Sequence, residues 1–592
     1  MRGPTALLVL LLAAPAAAQP AAQPGTAAVP FSRDWKRIRS DHFTAVGNTS
    51  EAQLRTALGE LERFRSALTS AIPGLRIESP VPTVLVLFKD LRSMTPFNPR
   101  DERDRPRGNV AGYFSRLPDV NRMVSSVQRE RADTFSVIFH EYTHYVINRS
   151  GRPLPTWVNE GLAEFYSTFR TTGPATGLLG GVPRWRARTL RSGEPLLSFD
   201  ELFTAEGTAR TFRNGVKLQR FYAQSWALVH YTMVGKRAGQ LAVYLAALEK
   251  GLAPPDAFRE AFDVSFDALH AEMRAYLRQL RLPAIGVSFP ERVAADTNPV
   301  ERLTEVEVLQ LQAELLLQHN APGEAEPLVR EALRLDGTHP GARRALAALQ
   351  RQRHHWSEAV TTMRAVAADA PKDFAAQYWL ASDLTVNGDR EEAMRASTAA
   401  VALNEGSPDA WMQLSVGAHA LGRSSQSEAA MRRVLSLLQN PDWYRTRARA
   451  FWWLGDDAAV VRDVTAYVAE VGWGNEGVHA VFLSALAHRK LQAPDEAQRL
   501  LRQASIAIEP GSWTAVVAQF LLGELQVQPF LDRATGPGQE TEAHAYVGLV
   551  ASIDGRREEA LRHLSWVRDR GRRAYSELPI ALAELRRLES PR

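Results

Sequence analysis

The sequence predicts an α+β domain followed by an all-α repeat solenoid. Three observations carry that expectation. A histidine motif at residues 140–144 sits in a helix-period apolar run, after several β-rich stretches. A proline-bearing stretch without clear period, residues 281–302, separates two halves of different character. Beyond it, an acidic residue followed by alanine recurs at steps of 34 residues. At 592 residues the chain is too long for one core, so two or more domains are expected.

Residues 1–18 read as an export signal. Arg2 gives a short basic start, Leu7–Leu12 a compact apolar core, and Ala16-Ala17-Ala18 a small-residue cleavage site. The apolar run is too short to span a bilayer, and no other stretch is long enough. The expected location is periplasmic or extracellular in a bacterium, with the mature chain starting near Gln19; the alternative is an uncleaved anchor. Residues 19–30 are rich in Pro and Ala and are expected to be disordered. There is no cysteine, so disulfides, thiolate zinc sites and a lipid-modified N-terminal cysteine are excluded. The net charge is +5, from arginines scattered along the chain, and no dense basic stripe points to nucleic acid.

Residues 31–280 form the expected first domain. Trp35 to Val46 alternates like a strand, and Glu51 to Ile72 carries Leu54, Leu58, Leu61, Phe64 and Leu68 on one helical stripe. Val81 to Phe88 is a short β-rich run that reads as a central strand. The mixed-charge stretch Arg100 to Arg107 reads as a solvated loop. Val110 to Ser115 and Arg122 to Val127 read as two more strands around a turn at Leu117 to Asn121.

Next comes Phe139-His140-Glu141-Tyr142-Thr143-His144-Tyr145, with Phe135, Ile138, Phe139, Tyr142 and Val146 in helical spacing. Positions i and i+4 share a helix face, so His140 and His144 aim two imidazoles at one point with Glu141 beside them. That pattern suits one Zn²⁺ ion with a general base next to its water. After Gly151, Pro153 and Pro155 a second helix is expected over Trp157 to Phe169. Glu160 and Glu164 lie on one face of it. Folded back on the first helix, Glu160 can supply a third ligand, leaving one open position.

The pair of motifs, H-E-Y-T-H followed by N-E-G-L-A-E, resembles the gluzincin metallopeptidases, and most closely the small bacterial peptidase MA-like domains. The resemblance covers roughly residues 31–280 and implies a zincin-like metallopeptidase fold. It implies Glu160 as third ligand and Glu164 as a carboxylate behind a ligand histidine. It further implies a substrate-pairing edge strand, assigned to Met123, Val124, Ser125, Ser126 and Val127; an ordinary edge strand is the other reading. A tyrosine downstream of the ligands donates to the oxyanion in this family, and Tyr222 is the candidate. A Tyr222 packed in the core remains open, and His230 is an alternative donor or a core histidine. The gap of fifteen residues between His144 and Glu160 is shorter than in the large members.

The Gly/Thr-rich stretch Thr171 to Gly181 lacks a phosphate-loop ending and reads as a flexible connection near the cleft. Phe221 to His230 is helical by period, and Phe266 to Leu280 reads as a closing helix with Phe266, Leu269, Met273, Tyr276 and Leu280 facing in. Residues 281–302, with Pro283, Pro290 and Pro299, read as a linker.

In residues 303–592 the acidic-Ala pairs fall at Glu324-Ala325, Glu358-Ala359, Glu392-Ala393, Glu428-Ala429, Glu496-Ala497 and Glu559-Ala560. Turns precede them, as at Asn387-Gly388-Asp389 and Asp554-Gly555-Arg556. A unit of 34 residues with a small residue at the helix crossing resembles the tetratricopeptide repeat. Six units are visible, with a degenerate one near 445–470. Such a solenoid is expected to hold a protein or peptide partner in its groove. Trp379, Trp411, Trp452, Trp453 and Trp473 are read as core in preference to a ligand platform, and His354-His355 as no metal site.

The expected activity is zinc-dependent peptide hydrolysis, endopeptidase in preference to aminopeptidase, with the repeats binding a partner. The rival is an envelope scaffold in which the repeats do the work and the metal domain is inactive or regulated.

Overall fold

The β-rich runs of the N-terminal half assemble into two sheets. In the computed structural model the described residues are 7–8, 34–72, 75, 77–100, 105–108, 110–128, 131–149, 154–190, 196–203, 215–249, 252, 254–279, 282–290, 298–437, 444–471, 475–571 and 577–589. The expected export signal, apart from Leu7 and Leu8, and the segment 19–30 lie outside them. The strands are β1 (Leu7–Leu8), β2 (Lys36–Arg39), β3 (Phe43–Gly47), β4 (Thr83–Phe88), β5 (Gly112–Arg116), β6 (Asn121–Ser126), β7 (Arg170–Gly173), β8 (Thr176–Leu179), β9 (Ile285–Ser288) and β10 (Val300–Arg302). The larger sheet runs β1-β5-β6-β4-β3-β2-β10, and β7-β8-β9 form the smaller one.

Strands β3, β4 and β6 are parallel neighbours, and every other pair in the larger sheet is antiparallel. The helix Glu51–Ala71 makes the crossover from β3 to β4, opened by a capping box at Ser50 and Gln53. Its expected stripe of Leu54, Leu58, Leu61, Phe64 and Leu68 is buried. Those side chains meet Phe43, Leu85, Leu87, Phe114 and Met123 on one face of the sheet, together with the helix Arg131–Arg149.

Side chains alternate across a strand, so the other face carries Val46, Val86, Phe88, Tyr113 and Val124. These are buried too, against Leu303, Val308, Leu315 and Leu316. The covering helix is Glu305–Gln318, the first of the repeat half, begun by a capping box at Thr304 and Glu307. Burial on both faces explains why β4 reads Thr-Val-Leu-Val-Leu-Phe without polar alternation.

Two expectations change here. Residues 281–302 are not a bare linker: β9 pairs with β8, and β10 pairs antiparallel with β2 at the sheet edge. Their alternation was too short to stand out between prolines. Thr171 to Gly181 is likewise a strand pair, β7 and β8. Among the described residues the chain divides into Pro4–Ser150 with Leu154–Asp383, and Leu384–Arg592. The first repeat helices therefore belong with the sheet.

The repeats are helix pairs, among them Glu305–Gln318 with Pro322–Leu335 and Pro340–Gln352 with Trp356–Asp369. In the unit Leu384–Arg592 the pairs include Pro408–Ala420 with Ser424–Leu437 and Pro537–Ile553 with Arg557–Arg570. The degenerate repeat is Tyr444–Leu454 with Asp457–Val471. Ala325, Ala359, Ala393, Ala497 and Ala560 are buried as a close helix crossing requires. Ala429 is exposed, and the small buried residue at that crossing is Ser427, 34 positions after Ala393. Its Oγ lies 3.0 Å from that of Ser415 on the partner helix. Trp452 and Trp453 are core, Trp379 and Trp411 are half-buried, and Trp473 lies outside the described residues. Among the described residues no helix is long and apolar enough to cross a membrane.

Candidate metal centre

The helix Arg131–Arg149 carries the first motif and the helix Thr156–Tyr166 the second. Phe139 stacks on Phe64 with ring centroids 4.3 Å apart, which seats the first helix on Glu51–Ala71. The second helix starts just after Pro155 and packs against the helix Gly215–Met233. Gly161 permits that approach. A Cβ there would lie 2.5 Å from the Ser225 carbonyl oxygen and 2.5 Å from Val229 Cγ2.

This packing brings His140, His144 and Glu160 together. One donor atom from each lies within 4.8 Å of the others, and all three residues are buried. The two Nε2 atoms are 2.9 Å apart. Glu160 Oε2 lies 3.4 Å from His140 Nε2 and 3.3 Å from His144 Nε2. That oxygen is sequestered and has no hydrogen-bond partner of good geometry among the described residues. A buried carboxylate oxygen left in this way is costly unless a cation completes it. Two neutral nitrogens and one carboxylate are the donor set of a catalytic Zn²⁺ site, so the residues fit the ion.

The other ring nitrogens are held as well. His144 Nδ1 lies 3.0 Å from Asn159 Oδ1, so Nδ1–H donates and Nε2 is left as the ligand atom. His140 Nδ1 faces Glu164 Oε1 at 3.6 Å. Glu164 is held by Arg186, whose Nη2 donates to Oε1 at 2.5 Å. Arg186 Nη1 donates to Gln219 Oε1 at 2.5 Å, and the guanidinium covers the Tyr222 ring at 4.7 Å.

The charges follow from this enclosure. Burial alone would lower the His144 pKa, but the Glu160 carboxylate outweighs it and lifts it to about 9. Burial likewise works against the Glu160 carboxylate, and the two imidazoles overcome it and hold it at about 2. Burial pushes Glu141 up to about 8. The backbone N–H of Phe114 in β5 donates to Glu141, and Glu141 Oε2 has no further hydrogen-bond partner among the described residues.

The structure corrects the expected substrate strand. Met123, Val124, Ser125 and Ser126 lie in β6, which is flanked by β4 and β5. Val127 follows the strand and donates to the Phe88 carbonyl. The hairpin turn at residues 117–120 folds β5 over the outer side of β6, so its backbone groups are taken. Next outward is β5, paired with β1 with Leu8 opposite Phe114. Tyr222 is buried and joins the group through Arg186. His230 is a satisfied core histidine: Nε2 lies 2.9 Å from the Gly180 carbonyl oxygen and Nδ1 2.9 Å from the Tyr276 hydroxyl. Asn159 and Arg186 were missed from sequence. Asn159 had a signal, its place beside Glu160 in the second motif; Arg186, one of three arginines in the short helix Arg184–Leu190, had none.

Comparison with known proteins gives two family matches. Residues 134–252 match a family described as a protein of unknown function (DUF1570), and residues 316–382 match the tetratricopeptide repeat. The first span holds every side chain of the site just described. No functionally curated protein matches the chain. Among solved structures it is similar to Pseudomonas aeruginosa pilF, at 16% identity over 37% of this chain and 98% of that one, with a TM-score of 0.31. It is similar to PilW, a widely conserved type IV pilus biogenesis factor, at 16% identity over 36% and 97%, with a TM-score of 0.32. The apo quorum sensor NprR from B. thuringiensis shares 12% identity over 56% of this chain and 97% of that one, at a TM-score of 0.34. Likenesses of this size carry no argument about function. Residues 316–382 are tetratricopeptide repeats on their family match, the C-terminal half is built of helix pairs, and the N-terminal half is mixed α and β.

Proposed function

We propose that the chain is a zinc-dependent peptidase with a zincin-like domain of gluzincin type, and that its repeats bind a protein or peptide partner. The observation that carries it is the convergence of His140, His144 and Glu160, with an unsatisfied carboxylate oxygen aimed between the imidazoles. When bound, Zn²⁺ would supply a Lewis acid and bring the pKa of a water toward about 7. His140 and His144 present Nε2, the His144 ring held from behind by Asn159 and the His140 ring facing the Glu164 carboxylate. Glu141 takes the proton of the attacking water and delivers it to the leaving amine. An extended substrate would lie on the outer side of β5, where Leu7 and Leu8 pair and the Phe114 N–H reaches Glu141. Tyr222, whose ring lies under the Arg186 guanidinium, is proposed as a donor to the oxyanion. The leader residues 1–18 would direct the chain to the periplasm or medium.

The repeat match favours partner binding on its own, and a scaffold with a silent metal domain is the second reading. Elemental analysis of the purified protein and of His144→Ala, with turnover of a mixed peptide pool, separates the two. The expected result is one zinc per chain, lost in His144→Ala, and turnover that Glu141→Gln abolishes while keeping the metal. Zinc-loaded protein without turnover of any peptide would leave the scaffold reading; an active Glu141→Gln enzyme would refute the role of Glu141.

A further inference from the structure

We infer that Arg186 is a positioning residue for His140, acting through Glu164. The inference rests on the metal-site reading above. Arg186 has no exposed surface, and Glu164 is 1% exposed. A fully buried guanidinium is costly and persists only when its donors are used. Arg186 uses its two terminal nitrogens on different elements: Glu164 in the second motif helix and Gln219 in the helix Gly215–Met233. Its face lies on Tyr222, three residues on from Gln219.

That makes a three-point hold on one planar group. The plane fixes where Glu164 Oε1 sits, and Oε1 is the atom facing His140 Nδ1. A carboxylate so fixed stands 3.6 Å from Nδ1, where its charge favours the proton on Nδ1 and leaves the Nε2 lone pair toward His144 and Glu160. Glu164 Oε2 and Arg186 Nε have no hydrogen-bond partner among the described residues. The arrangement is thus not a closed structural ion pair. Oε1, the oxygen that accepts from the guanidinium, is also the one that faces the imidazole. The same guanidinium ties the Tyr222 ring to the ligand set, so one residue orients both sides of the site.

The test compares wild type with Arg186→Lys, Arg186→Met and the double variant Glu164→Gln/Arg186→Met, all as full chains. Metal-free protein is titrated with Co²⁺ against a competing chelator, the visible spectrum of the Co²⁺ form is recorded, and metal-free melting is followed. Arg186→Met is expected to bind Co²⁺ about 10- to 100-fold more weakly, with an altered spectrum. Arg186→Lys, which keeps the charge but not the fork, should fall between. The double variant removes the uncompensated charge and should melt near wild type yet still bind weakly. Where turnover is measurable, kcat falls more than KM rises. Wild-type affinity and spectrum in Arg186→Met, or their full return in the double variant, would show that Arg186 only neutralises a buried charge. A wild type that binds neither Co²⁺ nor Zn²⁺ sinks the site reading itself, and this inference with it.

Discussion

Gly161→Ala tests how the third ligand is placed. Gly161 is next to Glu160 on the helix Thr156–Tyr166, at the crossing with Gly215–Met233. The added methyl would stand 2.5 Å from the Ser225 carbonyl oxygen and from Val229 Cγ2, whereas ordinary contact begins at 3.4 Å. The carbonyl belongs to a helix backbone and cannot swing away, so the helices must part by the difference, about 0.9 Å. Overpacking of this kind costs about 1–3 kcal/mol. Against a total stability of about 5–15 kcal/mol the protein stays folded. Metal–ligand distances, by contrast, hold to about 0.2 Å. Moving the backbone beside Glu160 by several times that amount should weaken Zn²⁺ binding about 10-fold or more. Urea unfolding of the metal-free protein gives the first number, and Zn²⁺ titration against a chromogenic chelator gives the second. Unchanged stability and unchanged affinity together would refute both the crossing and its link to the ligand.

Four further outcomes are expected. Asn159→Ala removes the acceptor of His144 Nδ1–H and should lower Zn²⁺ affinity about 10- to 100-fold with little change in melting, measured by the same titration. In the metal-free protein the raised His144 pKa stabilises the fold fully below about pH 6.5, and that stability is lost as pH rises through about 9; urea midpoints from pH 6 to 10 should fall accordingly. The lowered pKa of Glu160 contributes above about 4.5 and fails only as pH drops through about 2, so midpoints at pH 4 that already match the fully acid state contradict it. Arg122 and Glu314 form an ion pair with side chains only 9% and 16% exposed. Either single alanine variant should cost about 3 kcal/mol, and a double-mutant cycle by urea unfolding should show the pair coupled by about 1 kcal/mol or more.

Much of the site's geometry was legible because it is local. Two histidines at i and i+4 and a second helix with Glu160 need only helix geometry and a short return, and the side chains converge. The repeat was legible because a close helix crossing demands a small residue each time. At Ser427 the demand was met by serine, so reading the acidic-Ala pair slipped to Ala429. Strand order was harder. Strand β6 and its neighbour have similar composition, and only the turn at 117–120 decides which lies outside. Arg186 was invisible because its partners come from two other helices, and nothing in its own neighbours marks it.

The covering of the second sheet face bears on how this chain can be cut and joined. Helix Glu305–Gln318 supplies the lid over Val86, Phe88 and Tyr113. Arg37 reaches Glu301 and Glu307 across the same seam, and Gln318 donates to Ser115 in β5. In the turn beyond β5, Asp119 lies beside Arg344 and bonds Trp379, from the next two repeats. A graft that swaps the whole repeat array at residue 303 would strip a wall from the sheet. Exchange of modules, in the laboratory or over evolutionary time, must leave the helix Glu305–Gln318 with the sheet.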